Sequence, residues 1–135
     1  MPSILFRVKI SAMGTLLNLI APEKLSDEFN KIYGSGKDAV RVFASPARIN
    51  IIGEHIDYNG GKVFPAAIDR FLYAAVRKRD DSRITYRDLK FPGVYDFDIR
   101  GEFAYKKENG YANYLNGIVT ILKRRGCVFS GGFDV

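Results

Sequence analysis

The sequence has one cysteine, one histidine and no long apolar run, and each shortage excludes a class of protein. With Cys127 as the only cysteine among 135 residues, no internal disulfide is available, and a reducing, cytoplasmic location is expected. No stretch approaches the ~20 consecutive apolar residues that a membrane-spanning helix needs. We therefore predict neither a disulfide-stabilised secreted domain nor a membrane protein.

Basic residues outnumber acidic ones, but they are dispersed along the chain. The formal net charge is +6, and the short basic runs are Arg77–Arg79, Lys106–Lys107 and Lys123–Arg125. None of these runs is interleaved with aromatic residues, as in surfaces that stack single-stranded nucleic acid, and no helix-turn-helix or zinc-finger spacing accompanies them. We interpret them as solvated faces and expect no nucleic-acid partner.

Length and composition suit one compact domain over residues 1–135. A chain of this size with 47% hydrophobic residues buries roughly two thirds of its unfolded surface on folding. Residues 1–22 are interpreted as an extension. A secretory signal is disfavoured there because Gly14 and Asn18 interrupt the apolar stretch.

Hydrophobic spacing predicts two helices and several strands. The helices are Leu25–Tyr33, which Gly34 ends, and Tyr111–Arg125, which Gly126 ends. The extended segments are Val40–Ala44, Ile49–Ile52, Val63–Ile68, Phe71–Arg79, Arg83–Leu89, Tyr95–Ile99 and Gly132–Val135. Pro46 is expected to break the first strand, and Asp80–Ser82 to form a hairpin connection. The predicted fold class is α+β, a mixed or antiparallel sheet with flanking helices.

Polar side chains are concentrated at the end of the Ile49–Ile52 segment. Glu54, Asp57 and the only histidine, His55, fall within four positions, and Arg48 lies shortly before them. Carboxylates accept hydrogen bonds from hydroxyls, and a histidine either donates or accepts them. An arginine stabilises charge during phosphoryl transfer. This chemistry predicts a site for a polar small molecule.

Two other interpretations use the same residues. Glu54, His55 and Asp57 are ligand types for a metal ion, but the usual second histidine is absent, so we predict no metal site. Alternatively, Glu54 pairs with Arg48 and His55 only satisfies a turn. Chemistry alone does not separate this structural interpretation from a binding site.

Two motifs resemble the galactokinases, within the superfamily of homoserine, mevalonate and phosphomevalonate kinases. The run Ala44–Gly61 reads ASPARINIIGEHIDYNGG and resembles the galactokinase signature, with Arg48 and the Asp57–Tyr58 pair typical of that branch. The run Tyr111–Gly117, YANYLNG, is similar to the helix start that borders the adenine pocket. The resemblance covers the chain from about Val40 onward and implies the N-terminal portion of such a kinase.

The resemblance implies a role for each residue. Arg48, Glu54, His55 and Asp57 would bind galactose, and Arg48 would also stabilise the transition state of ATP-dependent phosphorylation at the anomeric hydroxyl. ATP and Mg²⁺ are implied for the complete enzyme, with Tyr111 and Tyr114 flanking the base. Asn50, Gly53 and Tyr58 match the signature too, but are interpreted as structural, with Tyr58 packed beneath the turn.

The chain departs from the family pattern at one position and lacks two of its parts. Ala47 stands where the family has a glycine, which would misplace Arg48 if that position required a positive φ. The chain lacks the glycine-rich phosphate loop and the catalytic aspartate of galactokinases. Together these supply most ligands of ATP and Mg²⁺, so the separate chain is expected to be inactive as a kinase.

Two alternatives stay open at the sequence level. One is a non-catalytic module that senses sugar or interacts with a partner. The other is a fragment of a kinase for an amino sugar or arabinose. We also expect self-association through an exposed sheet edge at Val135, because a strand without partners leaves backbone groups unpaired.

Overall fold

The computed structural model describes residues 22–135, so the predicted N-terminal extension lies almost wholly outside the described residues. The elements are α1 (Pro22–Tyr33), β1 (Arg41–Ile52), β2 (Phe64–Lys78), β3 (Arg83–Arg87), β4 (Val94–Asp98), α2 (Ala112–Arg124) and β5 (Phe133–Asp134). Phe43–Ala74 forms one compact unit, and Glu23–Val42 with Ala75–Val135 forms a second. The single domain over residues 1–135 stays a prediction.

In the first unit, β1 is hydrogen-bonded to β2, and the loop after Ile52 joins them. The prediction that Pro46 breaks the strand is wrong, because β1 runs without interruption from Arg41 to Ile52. Among the described residues, β1 stands at one end of the strand order. Proline lacks a backbone donor and is tolerated on such an edge strand. One long strand therefore leads directly to the polar cluster.

In the second unit, the strand order is β2-β5-β3-β4. β3 pairs with β4 antiparallel, with Ile84 opposite Phe97. β5 runs antiparallel to β2 and parallel to β3. The sheet is therefore mixed, which confirms the predicted α+β class.

Two expectations about β5 and its neighbours are wrong. Asp80–Ser82 does not close a hairpin, because β5 lies between β2 and β3. Val135 is not at a free edge either, because β5 pairs on both sides, with Asp134 opposite Arg77 on β2 and beside Thr85 on β3. Local turn chemistry does not reveal a strand inserted from a distant part of the sequence. Self-association of the chain stays a prediction.

Both predicted helices are confirmed to within a few residues. Within residues 22–135, no helix is long and apolar enough to cross a membrane. Burial on α2 falls on Ala112, Asn116 and Val119, whereas Ile118 is 57% exposed. The packed core of this unit is built from Ile84, Ile99, Val119, Phe103, Leu115, Phe129 and Phe133.

Buried charges attach β5 to its neighbours. Both carboxylate oxygens of Asp134 accept a hydrogen bond, Oδ2 from Arg77 at 3.3 Å and Oδ1 from Arg79 at 2.8 Å. The Tyr33 hydroxyl donates to the carbonyl of Val135 at 3.0 Å. These side-chain contacts add to the backbone hydrogen bonds that the strand and its flanking residues form.

Candidate functional site

The predicted polar site lies in the loop that joins β1 and β2. The loop begins at Gly53, whose φ is 108° and which is buried. A Cβ atom at this position would lie 2.8 Å from the Cα of Val63, so a larger residue would require the backbone to move. Only glycine suits both the conformation and the close approach. Gly53 therefore sets the direction in which the chain leaves the strand.

Backbone hydrogen bonds close the loop on itself. The N–H of Gly61 donates to the carbonyl of Ile56 at 3.0 Å, and the N–H of Ile56 donates to that of Gly53 at 3.3 Å. A single 3₁₀ turn, Asp57–Asn59, lies between them, and Gly60 follows it with a φ of 76°. The polar residues are thus presented from a compact turn rather than from a strand with alternating faces.

All four predicted sugar-site residues are exposed to solvent. Glu54, His55 and Asp57 lie on the loop, and Arg48 lies on β1, five positions before it begins. Arg48 and Glu54, both among the described residues, form no ion pair. The interpretation in which Glu54 serves only to pair with Arg48 therefore has no contact to support it. Within residues 22–135, no group of three histidine, cysteine, aspartate or glutamate side chains is arranged to hold a metal ion.

His55 is held at both its backbone and its ring. Its φ of 59° is the only positive value at a non-glycine position in the described part of the chain. The side-chain amide of Asn59 donates to the His55 carbonyl at 2.9 Å, and the Tyr58 hydroxyl lies 2.9 Å from Nδ1 of the imidazole. The sequence-based expectation that Tyr58 packs beneath the turn is wrong, because its side chain is 72% exposed.

Ala47 causes no backbone strain beside Arg48. It lies within β1, and its φ is not in the left-handed region. A glycine is therefore not required for the conformation of this strand. The concern that alanine rotates Arg48 away through a strained backbone does not apply.

The two predicted base-flanking tyrosines differ sharply in their surroundings. Tyr111 contacts the rings of Tyr86 and Tyr95, each with centroids 5.4 Å away, and that of Phe91 at 5.1 Å. Burial raises the pKa of its hydroxyl. Tyr114 is 81% exposed. Tyr111 therefore has a packing role in the second unit, whereas Tyr114 presents a free ring.

Asn113, at the start of α2, has a role that was not predicted from the sequence. Its side-chain amide donates to the carbonyls of Lys106 and Gly110, both at 2.8 Å, and its Oδ1 accepts from the N–H of Lys106 at 3.2 Å. One side chain thus fixes the segment that leads into the YANYLNG motif. An asparagine near a helix start, where its side chain competes for backbone groups, is the signal that reveals such a role.

The loop and its two strands match a family of known proteins. Residues 27–78, which contain β1, the loop and β2, match the galactokinase galactose-binding signature. The resemblance to galactokinases is confirmed. The chain is 39% identical to a galactokinase of Clostridium beijerinckii over 82% of its own length, and 41% identical to one of Streptococcus suis over 84%. These matches cover 28% and 29% of the two galactokinases.

The fold agrees with this relationship. The structure matches that of the Lactococcus lactis galactokinase complexed with galactose, with a TM-score of 0.69 and 36% sequence identity. The match covers 83% of this chain and 29% of the galactokinase. The mixed sheet with its two helices therefore corresponds to the N-terminal domain of a galactokinase, and the chain spans less than a third of the relatives it matches.

Proposed function

We propose that this chain is the galactose-binding portion of a galactokinase, with Glu54, His55 and Asp57 as the residues that contact the sugar. One observation carries the proposal: a loop closed by its own backbone hydrogen bonds presents all three side chains to solvent, within the region that matches the galactose-binding signature. The structural relative from Lactococcus lactis holds galactose, which supports the same ligand here.

The residue types complement a sugar. Each hydroxyl both donates and accepts, and the carboxylates of Glu54 and Asp57 accept from such groups. Arg48 adds a positive charge on the strand that leads to the loop. In a complete enzyme, this charge would stabilise the anomeric oxygen as it attacks the phosphoryl group.

Phosphoryl transfer is proposed for the whole protein, because the chain spans only about 28% of its curated relatives. The proposed reaction moves the γ-phosphoryl group of ATP to the anomeric hydroxyl, with Mg²⁺ supplying charge neutralisation on the phosphates. Of the two candidate tyrosines, the exposed ring of Tyr114 is the better fit to an adenine base, since the ring of Tyr111 already contacts three aromatic neighbours. A cytoplasmic location is part of the same proposal.

Calorimetric titration with galactose tests the proposal. The purified chain is expected to bind galactose saturably, and Asp57→Ala is expected to abolish the heat of binding. Glu102→Ala, which removes another exposed carboxylate outside the loop, is the matched control and should bind as the parent chain does. Absence of heat at millimolar galactose contradicts the proposal. Tighter binding of arabinose or an amino sugar would instead identify a related sugar kinase.

A further inference from the structure

We propose that Tyr58 is a positioning residue that sets the proton of His55 on Nε2, so that the imidazole donates a hydrogen bond to a sugar oxygen. The inference rests on the proposed function and adds a residue to it. Tyr58 lies outside the set of side chains that chemistry and resemblance assign to the sugar. Its hydroxyl lies 2.9 Å from Nδ1 of His55.

The contact has a defined ring geometry. The two rings are arranged edge to face, with centroids 6.0 Å apart and an interplanar angle of 63°. When the Tyr58 hydroxyl donates to Nδ1, the neutral ring carries its proton on Nε2. The opposite nitrogen then becomes a donor. The proton of the only histidine in the chain is thereby assigned by a neighbour three residues away.

The backbone fixes where that donor is presented. His55 adopts a φ of 59°, which is uncommon for a residue with a side chain, and Asn59 holds its carbonyl at 2.9 Å. His55 is therefore held at two points, by Asn59 on its main-chain carbonyl and by Tyr58 on its ring. A side chain held in this way loses less rotamer entropy on binding than a free one.

The donor completes the hydrogen-bonding set of the loop. Ionised Glu54 and Asp57 only accept hydrogen bonds, whereas a sugar hydroxyl needs a donor for its oxygen as well as an acceptor for its proton. Among the three loop residues, only His55 can supply that donor. If its proton lay on Nδ1, Nε2 would be a third acceptor and one sugar oxygen would lose its partner.

Nitrogen NMR tests the proton position directly, because a single histidine gives one pair of ring signals. In alkaline buffer, we expect a protonated Nε2 and an unprotonated Nδ1 shifted by the hydrogen bond. Tyr58→Phe should move the Nδ1 signal, and the control Tyr105→Phe, at an exposed tyrosine of the second unit, should not. A proton on Nδ1 in the parent chain, or unchanged signals in Tyr58→Phe, would overturn the proposal.

Galactose affinity supplies the second measurement. Loss of one uncharged hydrogen bond is worth about a three- to tenfold weaker affinity, which we expect for Tyr58→Phe but not for Tyr105→Phe. If the parent chain binds galactose and Tyr58→Phe binds it equally well, the positioning role fails while the proposed function stands. If the parent chain does not bind galactose, both fail.

Discussion

The buried carboxylate of Asp134 offers the sharpest test of what holds the second unit together. Its side chain is 4% exposed and accepts from Arg77, which is 7% exposed, and from the more accessible Arg79. Asp134→Asn keeps the size of the side chain but removes the charge and turns one acceptor into a donor. The guanidinium of Arg77 is then left buried without its counter-charge.

The magnitude follows from the partners that Arg77 retains. Removing one member of a buried ion pair costs about 3–5 kcal/mol, because the remaining charge stays desolvated. Arg77 still donates to the carbonyls of Gly34 at 2.7 Å and Tyr33 at 3.2 Å, and it lies over the ring of Phe29. We therefore expect a loss at the lower end, about 3 kcal/mol, from a total that is ~5–15 kcal/mol for ordinary domains.

Urea denaturation followed by circular dichroism measures this loss. With an m value of ~1–3 kcal/mol/M, the midpoint should fall by about 1–3 M. Asp96→Asn is the control, because its pair with Arg83 is exposed and such pairs contribute little. The double variant Arg77→Met with Asp134→Leu should recover much of the loss, since it removes both charges. A midpoint for Asp134→Asn no lower than that of Asp96→Asn would refute the reasoning.

Three further predictions concern single residues. Burial raises the pKa of the Tyr33 hydroxyl to about 12. The stability that this hydroxyl contributes is complete at a pH below its ordinary pKa of ~10, and it is lost as the pH rises toward 12. Urea midpoints measured across this range should therefore fall less steeply in Tyr33→Phe; an equal slope contradicts the assignment. Gly53→Ala should lower the free energy of unfolding by at least ~1 kcal/mol and weaken galactose binding, because the new methyl group meets the Val63 backbone. The control is Gly117→Ala, which lies in open space on α2 and should leave stability unchanged or raise it. Thermal denaturation measures both variants. Among the described residues, Oδ1 of the buried Asn116 has no hydrogen-bond partner. Asn116→Leu should therefore raise the free energy of unfolding by about 1 kcal/mol, and Asn116→Asp should lower it. A destabilised leucine variant would contradict this and show that the oxygen is satisfied.

Local signals predicted the elements well, and long-range pairing escaped them. Helical spacing and the glycines after each helix predicted α1 and α2, and hydrophobic spacing predicted β4. The strand break expected at Pro46 does not occur, because the cost of a missing backbone donor depends on whether the strand has one neighbour or two. The place of β5 between β2 and β3 depends on contacts of Asp134 with residues more than fifty positions away, which no local pattern records.

The site was predictable in its composition but not in its internal contacts. Residue chemistry and the resemblance named Glu54, His55 and Asp57, and the structure places all three on one loop. The contact of the Tyr58 hydroxyl with the His55 ring was not predicted, and it lies in a turn where His55 adopts a positive φ. Spacing of three residues is common to many turns, and only the backbone conformation decides which pairs meet.

The bonding pattern separates variants that affect binding from those that affect stability. The side chains proposed to contact the sugar are exposed, and the loop that carries them is closed by main-chain hydrogen bonds, so replacing Glu54 or Asp57 removes no contact that holds the loop. Asp134 is the opposite case, since its carboxylate is buried between two cations. Galactose affinity should therefore fall in Asp57→Ala without a change in the urea midpoint, and the midpoint should fall in Asp134→Asn. If Asp57→Ala lowered both together, the loop would depend on its side chains after all, and loss of binding could not be assigned to loss of a sugar contact.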